Sequence, residues 1–181
     1  MLNTRTRIKG FSMIEVLVSL IVIGVGMLGL SGLQIASMKG TNNAHSRTTA
    51  SYLAFELAER MRANQPGVDG GFYDNDVSCD VLEELCESDG TALDANTTYC
   101  TPQETARFDT QEVMCGTLTG ATREGGIANL LANGSLDVSC VGLCSQANIE
   151  HNITISWNES KTHEDQPDED QVQTITIPVI P

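Results

Sequence analysis

Few residues of this 181-residue chain have the type and spacing to do chemistry, and they fall into two groups. The first is Glu15, a carboxylate set into an apolar run, four positions after Phe11 and five after Gly10 in GFSMIEVLVSL. An ionised carboxylate inside a bilayer costs on the order of 3 kcal/mol even on lenient scales, so such a residue generally has a partner and a task. The second group is the six cysteines, Cys79, Cys86, Cys100, Cys115, Cys140 and Cys144. In an exported body of modest size they point to disulfides. Fifteen pairings are open to six cysteines, and the sequence does not choose among them. Local bridges such as Cys79–Cys86 and Cys100–Cys115 are the cheapest to close, and Cys140 and Cys144 could pair or reach elsewhere.

Other constellations are weak. A zinc site is not expected, because there is no CxxC and His45, His151 and His163 are not spaced to complete one. Asp74-Asn75-Asp76 and the acidic run at 165–170 lack the ligand spacing and central glycine of a calcium loop, and read as solvated acidic loops. No GxSxG, P-loop or Cys–His pairing is present, so neither an enzyme nor a cofactor is expected.

The elements that position these residues follow from charge and hydropathy. The chain carries 10 Lys+Arg against 24 Asp+Glu, a net charge of −14. That balance argues against nucleic acid, whose recognition needs clustered bases. The charge is unevenly placed. Arg5, Arg7 and Lys9 precede the apolar run with no acid among them, and only Arg107, Arg123 and Lys161 are basic across 63–181. Residues 16–38 carry no charge, and as a helix they would span roughly 35 Å, enough to cross a bilayer core. The basic start fixes the N-terminus in the cytoplasm and sends the acidic body across.

Proline is absent from 11–65, so the helix is expected to continue to about Asn64, roughly 80 Å in all. Its second half is amphipathic. Ala50, Leu53, Ala54, Leu57, Ala58 and Met61 form one apolar stripe, and Glu56–Arg60 and Glu59–Arg62 are spaced as ion pairs. Beyond Gly67 the chain reads as short pieces: brief helices at 80–87 and 124–133, and strands at 135–140, 150–158 and 171–181. Ile153, Ile155 and Trp157 alternate with polar residues, as in a half-buried strand. Val172, Ile175 and Ile177 are expected on a similar face, with Pro178 and Pro181 weakening the end of the last strand. The acidic stretch 159–170 would join the last two strands as an antiparallel hairpin. The fold class is therefore α+β, a long helix packed on an antiparallel sheet.

From Lys9 to Leu20, KGFSMIEVLVSL resembles the class III signal of type IV prepilins and pseudopilins. The resemblance implies cleavage after Gly10 by prepilin peptidase, N-methylation of the new terminal Phe11, and a pilin-like fold. Residues 1–10 would be a leader, 11–38 the transmembrane and assembly half of the helix, 39–64 its amphipathic half, and 65–181 a disulfide-containing head. Glycine lets the peptidase approach the backbone closely. The freed Phe11 amine of one subunit could then pair with Glu15 of its neighbour and set the axial register of the filament. The wider layout, including SYLAFELAERMRANQ at 51–65 and the ITISWNE strand, resembles the PilV group of minor type IV pilins. That likeness implies an inner-membrane protein with a periplasmic head, moved to the cell-surface pulus fibre, or fimbrium, on assembly. Its implied partners are other minor pilins, the major pilin, the inner-membrane assembly machinery and a tip adhesin, with effects on adhesion and twitching motility. A pseudopilin of type II secretion, a competence pilin and an anchored periplasmic binding protein are the alternatives.

Overall fold

The structure, a computed structural model, describes residues 10–74, 77–79, 100–119, 122–144, 149–159 and 171–180. The basic leader residues, the expected helix at 80–87 with Cys86, the Asn75-Asp76 pair, His163 and the 160–170 stretch lie outside them. The chain divides into two compact units, Met1–Thr41 and Asn42–Pro181. One helix, α1 (Met13–Ala63), contributes to both.

In the first unit every described residue is exposed, although the segment is almost wholly apolar. Helix α1 is long and apolar enough to cross a membrane. Two of its hydroxyls are satisfied within the helix. Ser19 and Ser31 donate to the Val16 and Met27 carbonyls at 2.8 and 2.9 Å, so neither hydroxyl asks lipid for a partner.

The second unit is built on the amphipathic half of α1. Ala50, Leu53, Ala54, Leu57, Ala58 and Met61 are the buried residues of the helix, the stripe that the 3–4 spacing predicts. They join a core with the inner face of a three-stranded antiparallel sheet of order β3-β4-β5: Ser135–Cys140, His151–Glu159 and Gln171–Val179. Ile153, Ile155 and Trp157 of the central strand β4 are buried, with Val138 and Val179 from its neighbours. In β5 the inward set is Ile175, Ile177 and Val179. Val172 falls on the opposite face and is exposed, because its spacing from Ile175 is odd and alternate strand residues face opposite sides. Pro178, opposite Asn152, is tolerated because β5 is an edge strand of this sheet.

Three further helices lie among the described residues of the head. Helix α2 (Gln65–Asp69) continues where the sequence reading expects a stop, with the Asn64 side chain accepting from the Gly67 N–H at 3.2 Å. Helix α3 (Pro102–Cys115) has no counterpart in the sequence reading, yet its start is well marked. Thr101 and Glu104 form a capping box, each side chain accepting from the other's backbone N–H, and Pro102 sits at the first turn. The hydrogen bond from the Thr101 N–H holds the Glu104 carboxyl below the usual carboxylate range. The helix ends at Gly116, φ +85°, where an added Cβ would lie 2.3 Å from the Glu124 carbonyl oxygen. A short hairpin, β1 (Thr117–Thr119) with β2 (Thr122–Glu124), and α4 (Gly126–Leu130) follow.

Candidate functional site

At the N-terminal end, Gly10 and Phe11 precede the first turn of α1, and both are exposed. The Ser12 carbonyl accepts from the Glu15 and Val16 N–H groups at 3.0 and 3.3 Å, which makes Ser12 the boundary residue of the helix. Glu15 lies in that first turn, where the macrodipole favours negative charge. Its exposed carboxylate stands beside Ile14, Val18, Ser19, Val22 and Ile23, a face that is apolar apart from the Ser19 hydroxyl.

The head contains a second constellation. Arg60 donates to Glu56 at 2.9 Å and Asp109 at 3.3 Å and pairs with Glu112 at 2.6 Å. Burial works against its charge, but the hydrogen bond to Glu56 and the pairing with Glu112 prevail and raise its pKa. The Tyr73 hydroxyl donates to the other oxygen of Asp109 at 2.7 Å, and Asn64 donates to Tyr73 and to the Pro102 carbonyl. Burial, then the bond to Asp109, pushes the Tyr73 phenol up. Burial also pushes the Asp109 carboxyl up, against the pull of Tyr73 and Arg60. This network fastens the end of α1 to α2 and α3. The Glu56–Arg60 and Glu59–Arg62 pairs are visible as spacings in the sequence; Asp109 and Glu112 are not, since they come from a distant helix.

A raised carboxyl pKa means that Asp109 favours folding in its protonated form. That contribution is present below its unfolded value and lost as pH rises through the folded one. Asp109→Asn keeps an acceptor for Tyr73 without the buried charge, so its stability is expected to stay within about 1 kcal/mol of wild type. Asp109→Ala leaves the buried Tyr73 hydroxyl without its acceptor, while Arg60 keeps Glu56 and Glu112, and should cost about 1–3 kcal/mol. Denaturant unfolding checks both, and the Asn variant should gain on wild type between pH 3 and pH 7. At the other end of the head, Arg47 forks onto Glu159 at 2.8 and 3.2 Å and reaches Gln173 at 3.0 Å, tying α1 to β4 and β5.

The cysteines pair differently from the cheapest local arrangement. Cys79 is bonded to Cys115, which replaces both Cys79–Cys86 and Cys100–Cys115. Helix α3 is the reason: its 14 residues keep positions 100 and 115 roughly 20 Å apart, far beyond the span of a disulfide. Cys140 is bonded to Cys144 across a tight loop. Cys100 is disulfide-bonded as well. Asp74 lies 3.5 Å from Cys144. Although Asp74, Cys140 and Cys144 are ligand-type residues in one place, both sulfurs are committed to the bridge, leaving a single carboxylate that makes no metal site.

An exposed apolar helix with an acidic residue in its first turn is followed in the chain by a disulfide-tied α+β head. Residues 5–31 match the prokaryotic N-terminal methylation motif, and residues 32–111 match the Tt1218-like family model, described as type IV pilin Tt1218. Both matches point to a type IV pilin, and the fold is α+β and pilin-like. The second match runs from mid-helix through Asp109 and takes in Arg60, Asn64 and Tyr73 as well. No curated protein and no solved structure matches the chain significantly. The motif implies processing by prepilin peptidase and assembly with other pilins, and with the apolar helix it fits anchoring in the inner membrane.

Proposed function

We propose that this pilin is a minor subunit of the PilV kind, which helps prime pilus assembly and resides in a complex near the tip. In this reading the precursor is cut after Gly10, Phe11 is N-methylated, and Glu15 sets the axial register against neighbouring subunits. Residues 11–38 are then the membrane and assembly segment, 39–64 the amphipathic half of the helix, and 65–181 a periplasmic head that reaches the cell surface in the fibre. The role is structural: adhesion and twitching motility depend on it through assembly with the major pilin, other minor pilins, the inner-membrane machinery and a tip adhesin. The observation that carries the reading is the methylation-motif match over residues 5–31, with Glu15 set at the start of an exposed apolar helix.

Mass spectrometry of the protein from its own cells tests the processing. A chain beginning at N-methylated Phe11 is expected, and one that keeps residues 1–10 would overturn the proposal. Recovery in trace amount with sheared pili is the expected mark of a minor subunit. Recovery only with the components of a type II secretion system would make it a pseudopilin.

A further inference from the structure

We propose that the free edge of β3 docks an extended segment of a partner protein, one whose residues alternate between apolar and basic. The sheet has two edges, β3 and β5. Ladder parity shows what each edge offers. Val141 donates to the Glu150 carbonyl at 3.0 Å, and the same register sets Asp137 against Thr154 and Ser139 against Asn152. Odd-numbered residues of β3 therefore bond β4, while Leu136 and Val138 turn their N–H and C=O groups outward. Among the described residues nothing pairs with those outward groups. In β5 the same parity turns Pro178 outward, so that edge lacks an N–H where an added strand needs one. The β3 edge, from Ser135 to Cys140, has no proline.

A groove runs along the β3 edge. Leu136, Asp137 and Val138 line it on the strand side, with Asp74, Val77 and Met114 from outside the sheet. The pleat dictates what fits there. A strand added beside β3 would bond to Leu136 and Val138 and set its side chains alternately on the two faces of the sheet. On the inner face its neighbours are half-buried Leu136 and buried Val138, which calls for apolar residues. On the outer face its neighbour is exposed Asp137, and Asp74 is exposed at the same groove. Neither carboxylate has a cation partner among the described residues, so the outer face calls for Lys or Arg. Charge also argues against a second copy of β3, which would bring another Asp137 and no base, on a chain of net charge −14.

The test uses the full chain in detergent and two synthetic peptides, one alternating valine with lysine and the other valine with glutamate. The lysine peptide should bind and slow hydrogen exchange at the Leu136 and Val138 amides, which should exchange fast in the free protein. The glutamate peptide should bind about tenfold more weakly, and Asp137→Lys should reverse that order. Leu136→Pro removes one outward N–H and leaves the β4 ladder its bonds, so it should abolish binding. Leu136→Ala loses the side chain but keeps that N–H, and should still bind. A thermal melt shows whether the Pro variant folds, and Asp137→Lys, at an exposed position, decides the matter if it does not. Failure of the lysine peptide to bind, equal binding of both peptides, or binding without protection of Leu136 and Val138 would overturn the docking site. Slow exchange at these amides in the free protein would mean that the chain covers its own edge. Protection that rises with protein concentration would make a second copy the occupant, and either result overturns the proposal.

Discussion

Glu15→Ala is expected to leave the precursor cut and Phe11 methylated, yet to lower the amount of this protein in sheared pili roughly 100-fold. The two stages of the molecule's life respond with opposite sign. In the membrane, removing a carboxylate from an apolar helix relieves on the order of 3 kcal/mol of insertion cost, so the membrane level should hold or rise. In the fibre, on the proposed register role, the same change leaves a neighbour's ammonium unpaired among apolar helices, a cost of about 3–5 kcal/mol, where each 1.4 kcal/mol is tenfold. Hydrocarbon faces slide past one another with little preference, so no other group in this stretch would restore the register. Quantitative immunoblots of membrane and sheared-pilus fractions, with mass spectrometry of the N-terminus, separate the stages. Pili with an unchanged content of the Ala variant would refute the assignment.

What the sequence discloses about this fold is what local periodicity encodes. The buried stripe from Ala50 to Met61 and the alternation of Ile153, Ile155 and Trp157 are short-range patterns, and each falls where its period puts it. Val172 does not, because grouping it with Ile175 and Ile177 ignores the parity that a strand imposes. Helix α3 was hidden for a different reason. It has a weak apolar face and is rich in Gln, Thr and Glu, so its burial pattern is faint, although Thr101-Pro102-Gln103-Glu104 spells a helix start to a reader who looks for caps rather than stripes. Tertiary partners are harder still. Nothing near Arg60 announces Asp109, 49 positions away, or shows that Tyr73 will bring its hydroxyl to the same carboxylate. At the N-terminal end, the methylation motif is legible because it is one contiguous segment, residues 5–31, which needs no tertiary partner to be seen.

Cys79→Ser/Cys115→Ser is expected to cost the head about 3–4 kcal/mol, on the order of a 10–15 °C fall in melting temperature, because the bridge closes a separation of 36 residues. The large loop is what makes this bridge costly to lose. The Cys140–Cys144 link closes a separation of only four, so its entropic contribution is smaller, and removing it should shift the midpoint less. Cys79–Cys115 also fixes a particular contact: Gln111 donates to the Ser78 carbonyl at 2.9 Å, one residue from Cys79, so the chain after Tyr73 is held against the C-terminal turns of α3. With the bridge cut, that contact must hold without a covalent link and against the chain entropy regained. A non-reducing peptide map decides the pairing first. Cleavage after Glu87 separates Cys79 from Cys100, and the peptide holding Cys115 should then be joined to the one holding Cys79. Finding it joined to Cys100 would require α3 to be broken, since an intact helix keeps those two positions roughly 20 Å apart.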